Sequence, residues 1–195
     1  GGSDKTLPGS GKLEDMAALV LAFIEAEELG AVHLVGHSFG GAVAEQVAAT
    51  GTARSLTLLA PLLPGLALDR TYIADFVAAK RKRELRAVLT RLVADPDAIS
   101  RDMVDDVLRY KRLDGVGAAL ERLGAVAREI AQAEPRPPAA RAVAIWGEAD
   151  RIIPPPGEGC LYNDHVLHFV ADAGHLPHLE RPTETTRLIR TALTG

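Results

Sequence analysis

The stretch that decides the fold is His33-Leu34-Val35-Gly36-His37-Ser38-Phe39-Gly40-Gly41, in which an apolar run reaches a serine with glycine two residues away on each side. An alanine-rich helical segment follows it. This pattern is typical of a sharp strand-to-helix turn that raises a serine hydroxyl above the edge of a sheet. We expect the turn to strain the serine backbone, and a side chain at Gly36 or Gly40 to collide with the neighbouring strand or helix. Glycine-rich turns before helices are common, so the pentapeptide alone leaves a purely structural role open.

Four short apolar runs predict strands, at residues 31–36, 55–60, 142–146 and 165–170. The runs are continuous rather than alternating, which is typical of parallel strands covered on both faces. Apolar residues at helical spacing predict helices from Leu13 onward, at 39–50 and at 182–193. Because right-handed crossovers lay successive strands parallel, the sequence predicts an α/β fold, with helices on both faces of a mostly parallel sheet.

A long insertion separates the second and third predicted strands. Residues 65–134 carry four helical stripes of apolar residues, and a proline-rich segment at 135–138 closes them. The insertion is too helical for a loop and too small for an independent domain. It therefore reads as a cap over the carboxyl edge of the sheet, where ligands bind in such folds. We predict an incomplete α/β core at 1–64 and 135–195 with a helical cap at 65–134, called the cap segment below.

Two further polar residues follow predicted strands at the same edge of the sheet. Asp150 comes after the third strand and His175 after the fourth, so the chain order is Ser38, Asp150, His175. A serine hydroxyl is a poor nucleophile at neutral pH unless an imidazole takes its proton and a carboxylate orients that imidazole. We predict Ser38 as nucleophile, His175 as general base and acid, and Asp150 as the group that orients His175. The backbone N–H of Phe39, at the start of the next helix, is the predicted oxyanion-hole donor.

These residues also allow plainer interpretations. Asp150 is also explained as a turn residue and His175 as a loop histidine. Asp172, His175 and His178 have the residue types of a metal site, although the Leu-Pro between the two histidines suits neither a strand nor a helix ligand spacing. We predict neither a metal nor a cofactor.

Three further residues are predicted to contact a substrate. His37 lies beside the serine and is expected to form a wall of the site. Leu62 and Phe76, with other aliphatic residues of the cap segment, suggest an apolar acyl pocket. Packing within the cap itself is the alternative for these two.

Composition narrows the class of protein. The chain has 195 residues, which suits one domain with an insertion, and its net charge of −4 argues against a nucleic-acid binder. The sequence shows no signal peptide and no apolar run long enough to cross a bilayer, so no membrane partner is expected. Cys160 is the one cysteine, which excludes an internal disulfide and fits a reducing compartment. The expected location is the cytoplasm.

The motifs at 31–61 and 141–193 resemble those of the α/β-hydrolase superfamily. Residues 7–11, Leu-Pro-Gly-Ser-Gly, are similar to a Leu-Pro-Gly-His-Gly turn of that family, with Ser10 in place of the histidine. The segments 72–79 and 103–115 resemble the hydrolase-like acyltransferase subunits of acetoin dehydrogenase complexes. This resemblance implies acyl transfer linked to a lipoyl group and a dehydrogenase-complex partner. The present sequence shows no lipoyl domain.

The sequence departs from the family before the first helix. Full members have about four strands ahead of the serine turn, and one of the loops there supplies the second oxyanion-hole N–H. The strand at 31–36, normally central, is therefore expected at an exposed edge. Either the sequence is part of a longer chain, in which Gly1-Gly2 would be the end of that loop, or it is a short form that completes its sheet as a homo-oligomer.

The predicted function is serine-dependent hydrolysis of an ester or thioester acyl group through an acyl-serine intermediate. Two alternatives stay open. One is an acyltransferase that uses the same residues, and the other is a non-catalytic, hydrolase-like binding module.

Overall fold

The computed structural model describes residues 5–134, 140–157 and 166–194. Four strands form one sheet: β1 (Val32–His37), β2 (Ala53–Leu59), β3 (Val143–Gly147) and β4 (Val166–Val170). Their order is β1-β2-β3-β4 and every neighbouring pair is parallel. The four predicted strands are confirmed with small shifts at their ends, and residue 165 lies outside the described residues. The predicted parallel sheet is also confirmed.

The helices within the described ranges are α1 (Leu13–Ala26), α2 (Phe39–Ala48), α3 (Arg70–Ala78), α4 (Lys82–Leu89), α5 (Arg101–Lys111), α6 (Val116–Gln132), α7 (Pro177–Glu180) and α8 (Pro182–Thr194). Helices α1 and α2 cover one face of the sheet, and α8 covers the other. Side chains alternate along each strand, so both faces bury apolar residues. None of the helices in these ranges is long and apolar enough to cross a membrane.

The cap segment contains α3 to α6 and two short 3₁₀ turns, at Thr90–Leu92 and Pro96–Ala98. Leu85, Val93 and Leu108 belong to an apolar cluster formed largely within this segment. Helix α6 differs, because Val126 and Ile130 join the large core cluster that also contains residues of α2, β2 and β3. The segment is thus seated on the body of the fold through α6, and α3 faces the end of the sheet where the serine lies.

Strand β1 is the outer strand of the sheet that these residues form. Val35 on β1 is 47% exposed, and Leu19 and Phe23 on α1 are 58% and 59% exposed. The predicted exposed position of this strand is confirmed. Among the described residues β1 pairs with β2 alone, and an open apolar edge of this kind is a site at which a further strand can add.

Candidate active site

Ser38 occupies the turn between β1 and α2. Its backbone has φ +52° and ψ −121°, a region that costs a non-glycine residue about 1–3 kcal/mol. The Ser38 N–H donates to the Leu59 carbonyl of β2 at 2.9 Å. The Ser38 carbonyl accepts from the N–H groups of Gly41 and Leu62, each at 2.9 Å. These backbone bonds hold the strained conformation, as the sequence predicts.

Only one of the two predicted glycine requirements in this turn is confirmed. A Cβ at Gly36 would lie 2.5 Å from the Gly40 carbonyl oxygen and 2.9 Å from the Ala44 Cβ. A Cβ at Gly40 would meet nothing within 4 Å, so the expected collision at Gly40 is wrong. The close approach belongs to Gly41, where a Cβ would lie 2.6 Å from the Cβ of Pro61. Gly40 is exposed, whereas Gly41 is buried against Pro61 in the segment that follows β2.

Asp150 lies in the loop after β3 and is 4% exposed. Its Oδ1 accepts from the N–H groups of Ile152 at 2.8 Å and Ile153 at 3.0 Å. These two backbone donors fix the carboxylate and leave Oδ2 directed at His175. The residue is a turn residue and a partner of the histidine at the same time, so both sequence interpretations describe it.

His175 follows β4 and joins the other two groups. Its Nδ1 lies 2.8 Å from Asp150 Oδ2, and its Nε2 lies 2.9 Å from Ser38 Oγ. A carboxylate oxygen only accepts, so Nδ1 donates to Asp150, and a neutral imidazole in this tautomer can accept the Ser38 hydroxyl proton at Nε2. His175 is 3% exposed, so its bond to Asp150 is buried, whereas its bond to Ser38 is partly buried. The structure therefore brings Ser38, His175 and Asp150 into one hydrogen-bonded chain at the carboxyl edge of the sheet.

The loops that carry Asp150 and His175 lie back to back. The Ala149 N–H donates to the Ala173 carbonyl at 2.9 Å. A Cβ at Gly147 would overlap the carbonyl oxygens of Ala173 and Gly174, so the two loops approach as closely as backbone permits. This contact fixes the separation of the carboxylate and the imidazole.

The same geometry bears on the metal hypothesis. Both ring nitrogens of His175 are already hydrogen-bonded, and Asp172 pairs with Arg181 at 3.4 Å. Within residues 5–134, 140–157 and 166–194 there is no group of three or more His, Cys, Asp or Glu side chains placed to hold a metal ion. Cys160 lies outside these ranges.

His37 packs against two histidines, His175 in the loop after β4 and His178 in α7. Its ring centroid is 4.9 Å from those of His175 and His178. Its Nε2 donates to the carbonyl oxygen of His175 at 2.8 Å. Burial first, and then the imidazole of His175, lower the pKa of His37 to about 4, so this ring is neutral at neutral pH. Burial also lowers the pKa of His178.

A cavity of about 380 Å³ opens beside Ser38, beneath the cap segment. Leu62, Phe76 and His37 all line it, and their contact with a substrate stays a prediction. Sequence reasoning missed most of the remaining wall, which comes from Leu68, Tyr72, Ile73, Val77, Leu92, Leu120, Leu123, Gly124, Ala127, Ile152 and Leu176. The wall is almost wholly apolar. Phe39 borders the cavity too, and its N–H is at the first position of α2, where a helix provides no carbonyl partner.

Two aromatic rings form part of this wall, each with a cation outside the cavity. Tyr72 and Phe76 lie one turn apart on α3, with nearly parallel rings at 6.0 Å. Arg91 stands 5.6 Å from the Tyr72 centroid and pairs with Asp69 and Asp75. The Lys111 Nζ stands 4.6 Å from the Phe76 centroid. These cation–π contacts hold the two rings in position, so the cations stabilise this part of the apolar wall from outside the cavity.

Glu180 is the clearest residue near the site that sequence reasoning missed. It ends α7, five residues after His175, and its carboxylate accepts from the backbone N–H groups of Ala94 and Gly174. In the sequence it stands between Leu179 and Arg181 and resembles an ordinary surface glutamate. The only sequence signal was its short distance from the histidine.

The sequence profile of the Alpha/beta hydrolase family matches residues 2–188, nearly the whole chain. The chain belongs to the alpha/beta hydrolase family. This hydrolase-family chain is also 36% identical, over 97% of its length, to a protein of Cupriavidus necator named dihydrolipoyllysine-residue acetyltransferase component of acetoin cleaving system. A Pseudomonas putida protein of the same name is 35% identical over 87% of the chain. The chain spans about half the length of these curated relatives, 55% and 47%.

Solved structures agree on the fold. The meta-cleavage product hydrolase CumD, in a variant form, superposes with a TM-score of 0.81 over 99% of this chain and 76% of that one, at 18% identity. A 2-hydroxy-6-oxo-6-phenylhexa-2,4-dienoate hydrolase from Rhodococcus sp. strain RHA1 gives 0.80 over 98% and 75%, at 19% identity. At this identity the likeness shows the alpha/beta hydrolase fold alone. Both resemblances inferred from the sequence, to the hydrolase superfamily and to the acetoin-system proteins, are confirmed.

Proposed function

We propose that this hydrolase-family chain cleaves ester or thioester acyl groups through an acyl-serine intermediate. One observation carries the proposal, namely the unbroken hydrogen-bonded chain from Asp150 through His175 to the Ser38 hydroxyl, at the mouth of an apolar cavity. Hydroxyl, imidazole and carboxylate in this order are the groups that make serine a nucleophile at neutral pH.

In the proposed reaction, Ser38 Oγ attacks the acyl carbonyl carbon while His175 Nε2 takes the hydroxyl proton. Asp150 stabilises the resulting imidazolium, and the Phe39 N–H donates to the oxyanion. The bond to the leaving alcohol or thiol then breaks, and that group takes the proton from His175. Water next attacks the acyl-serine, with His175 again accepting and returning a proton, so the acid is released and Ser38 is restored.

The cavity wall supports an uncharged, apolar acyl group as the substrate portion that enters it. The side chains lining it are overwhelmingly aliphatic or aromatic, and the cations Arg91 and Lys111 lie behind the rings of Tyr72 and Phe76. Burial of apolar acyl carbons in such a pocket contributes about 0.8 kcal/mol per methylene. Hexanoyl esters are therefore expected to show higher kcat/KM than acetyl esters.

The test is turnover of p-nitrophenyl hexanoate by the folded chain. Ser38→Ala is expected to lower kcat by about 1000-fold or more, because the nucleophile is lost while the cavity stays. Equal turnover by Ser38→Ala and the unaltered chain would contradict the proposal.

A second candidate is acyl transfer, which the names of the relatives favour. Those proteins are named as acetyltransferase components of an acetoin cleaving system, and a dihydrolipoyl thiol would then replace water as the attacking group. Partnership with a dehydrogenase complex belongs to this candidate. Product analysis with added dihydrolipoamide separates the two: a thioester product identifies transfer, and free acid alone identifies hydrolysis. Ligand binding with no Ser38-dependent turnover would instead favour a binding module.

A further inference from the structure

The loop that carries His175 is tied to the cap segment by a single carboxylate. Glu180 Oε2 accepts from the Gly174 N–H at 2.6 Å, directly beside His175. Glu180 Oε1 accepts from the Ala94 N–H at 2.6 Å and the Asp95 N–H at 3.3 Å. Ala94 and Asp95 lie between the two 3₁₀ turns of the cap segment. Charge-assisted bonds of this kind are about twice as strong as neutral ones.

The two segments that Glu180 joins are also in direct contact. A Cβ at Gly174 would lie 2.7 Å from the Leu92 carbonyl oxygen and 2.9 Å from the Cα of Val93. Val93 is 1% exposed and belongs to the apolar cluster of the cap segment, against which Leu176 also packs. The cap segment therefore contacts the backbone of Gly174, which precedes His175, and the side chain of Leu176, which follows it.

Both joined segments reach the cavity. In the cap segment, Leu92 lies just before Ala94 and Asp95, whose N–H groups donate to Glu180. In the loop after β4, Leu176 follows His175. Both leucines line the cavity beside Ser38. An acyl chain in the cavity consequently presses on the two segments whose relative position Glu180 fixes.

We propose that Glu180 is a positioning residue that couples the seating of the cap segment to the orientation of His175. An apolar acyl chain that fills the cavity holds Leu92 and Leu176 in place. Because Glu180 bonds both the cap segment and Gly174, the fixed position of the cap segment also fixes the orientation of the His175 imidazole. Binding of the acyl chain then raises kcat as well as affinity, as expected when remote binding energy orients the reacting groups. The inference rests on the proposed function in taking His175 as the base.

The isosteric change Glu180→Gln tests this coupling. A glutamine has one oxygen acceptor and one NH₂ donor, so it can satisfy either Gly174 or the cap N–H groups but not both. For p-nitrophenyl hexanoate we expect kcat to fall about tenfold or more with little change in KM, the size expected for a misplaced base. For p-nitrophenyl acetate, which leaves most of the cavity empty, we expect a smaller loss. The ratio of kcat for the hexanoate to kcat for the acetate therefore falls toward one.

Glu184→Gln is the matched control, since it makes the same change four residues away on an exposed position of α8. It is expected to leave both kcat values and their ratio unchanged. Ala94→Pro is a second test, because it removes one cap-side N–H and leaves the Gly174 bond intact. Ala94→Pro is expected to lower the same kcat ratio. If thermal denaturation shows that Glu180→Gln is unfolded, Ala94→Pro is the variant that tests the inference.

A readout without turnover separates this inference from the proposed function. The proton shared by His175 Nδ1 and Asp150 gives a low-field ¹H NMR signal, which we expect Glu180→Gln to broaden or shift and Glu184→Gln to preserve. Such a change in a chain without Ser38-dependent turnover would support the coupling and defeat the proposed function. A folded Glu180→Gln chain with an unchanged signal and an unchanged kcat ratio would overturn the inference.

Discussion

At the scale of single residues, the serine turn depends on which glycine faces a neighbour. Gly41 abuts Pro61, whereas Gly40 opens into free space. The spacing of glycines around Ser38 does not reveal this difference, because it depends on how the chain after β2 packs against α2.

Gly41→Ala is therefore expected to destabilise the protein by about 1–3 kcal/mol, since its methyl group overpacks against Pro61. Gly40→Ala is the control and is expected to be neutral or stabilising by up to about 1 kcal/mol, because alanine favours the helix. Urea denaturation measures both. A Gly40→Ala chain less stable than Gly41→Ala would show that the turn is packed differently.

Thr57 offers a second residue-scale test. It lies on β2, is fully buried, and its hydroxyl has no hydrogen-bond partner among the described residues. Thr57→Val is expected to raise the free energy of unfolding by about 1 kcal/mol, because an unsatisfied buried hydroxyl is removed at equal volume. Thr185→Val is the control. Its buried hydroxyl donates to the Pro177 carbonyl at 2.9 Å, so this change is expected to destabilise. Equal effects of the two changes would contradict this interpretation.

His37 predicts a pH dependence of stability. Burial holds the pKa of His37 at about 4 in the folded chain, against an ordinary value of 6.5, so the unfolded chain binds the proton more readily between these limits. The free energy of unfolding is therefore expected to fall as the pH drops from 6.5 toward 4. Asp150, His175 and His178 are the charged or titratable groups that act on His37.

His37→Gln keeps an N–H donor near the His175 carbonyl and removes the titrating ring. Its denaturation curve is expected to lose less stability over the same pH interval than that of the unaltered chain. His178 and the carboxylates titrate in both proteins, so the difference between the two curves isolates His37. If the stability of both proteins changed equally with pH, the pKa of His37 would not be lowered in the folded chain.

At the scale of elements, the cavity depends on how closely α3 approaches α6. A Cβ at Gly124 on α6 would lie 2.6 Å from Ile73 Cγ2 on α3, and both residues line the cavity. The Ile73 side chain has little freedom to rotate away, because β-branched side chains strongly prefer one χ1 rotamer in a helix. Any side chain at position 124 must therefore move α3.

Gly124→Ala is expected to destabilise the cap segment by about 1–2 kcal/mol and to lower kcat/KM for hexanoyl esters more than for acetyl esters. Gly117→Ala, on the same helix, would place its Cβ more than 4 Å from any neighbour and is the control. It is expected to leave the acyl preference unchanged. An equal effect of both changes on that preference would contradict the assignment of the cavity to the acyl chain.

Much of the fold at this scale was predictable from the sequence. Continuous apolar runs between helical stripes are direct consequences of a sheet buried on both faces, so the four strands and the order Ser38, Asp150, His175 were recognisable. The tie made by Glu180 was not, because its cap-side donors are more than eighty positions away and only the folded chain brings them together. The same holds for the aromatic wall of Tyr72 and Phe76, whose backing cations come from other elements.

At the scale of the whole molecule, three loops from three strands meet at one edge of one sheet. Ser38 and His175 are 137 positions apart, yet their side chains are within hydrogen-bond distance. The parallel order of β1 to β4 accounts for this, because it places the carboxyl ends of all four strands on the same side. The cap segment then closes an apolar space above them.

The most direct measurement of the central claim is labelling of the folded chain with a fluorophosphonate probe, followed by mass spectrometry of the peptide that contains Ser38. We predict one adduct per chain, on Ser38, formed much more slowly in His175→Ala because the hydroxyl proton then has no acceptor. A folded chain that stays unlabelled at Ser38, or that labels equally well without the imidazole, would contradict the account.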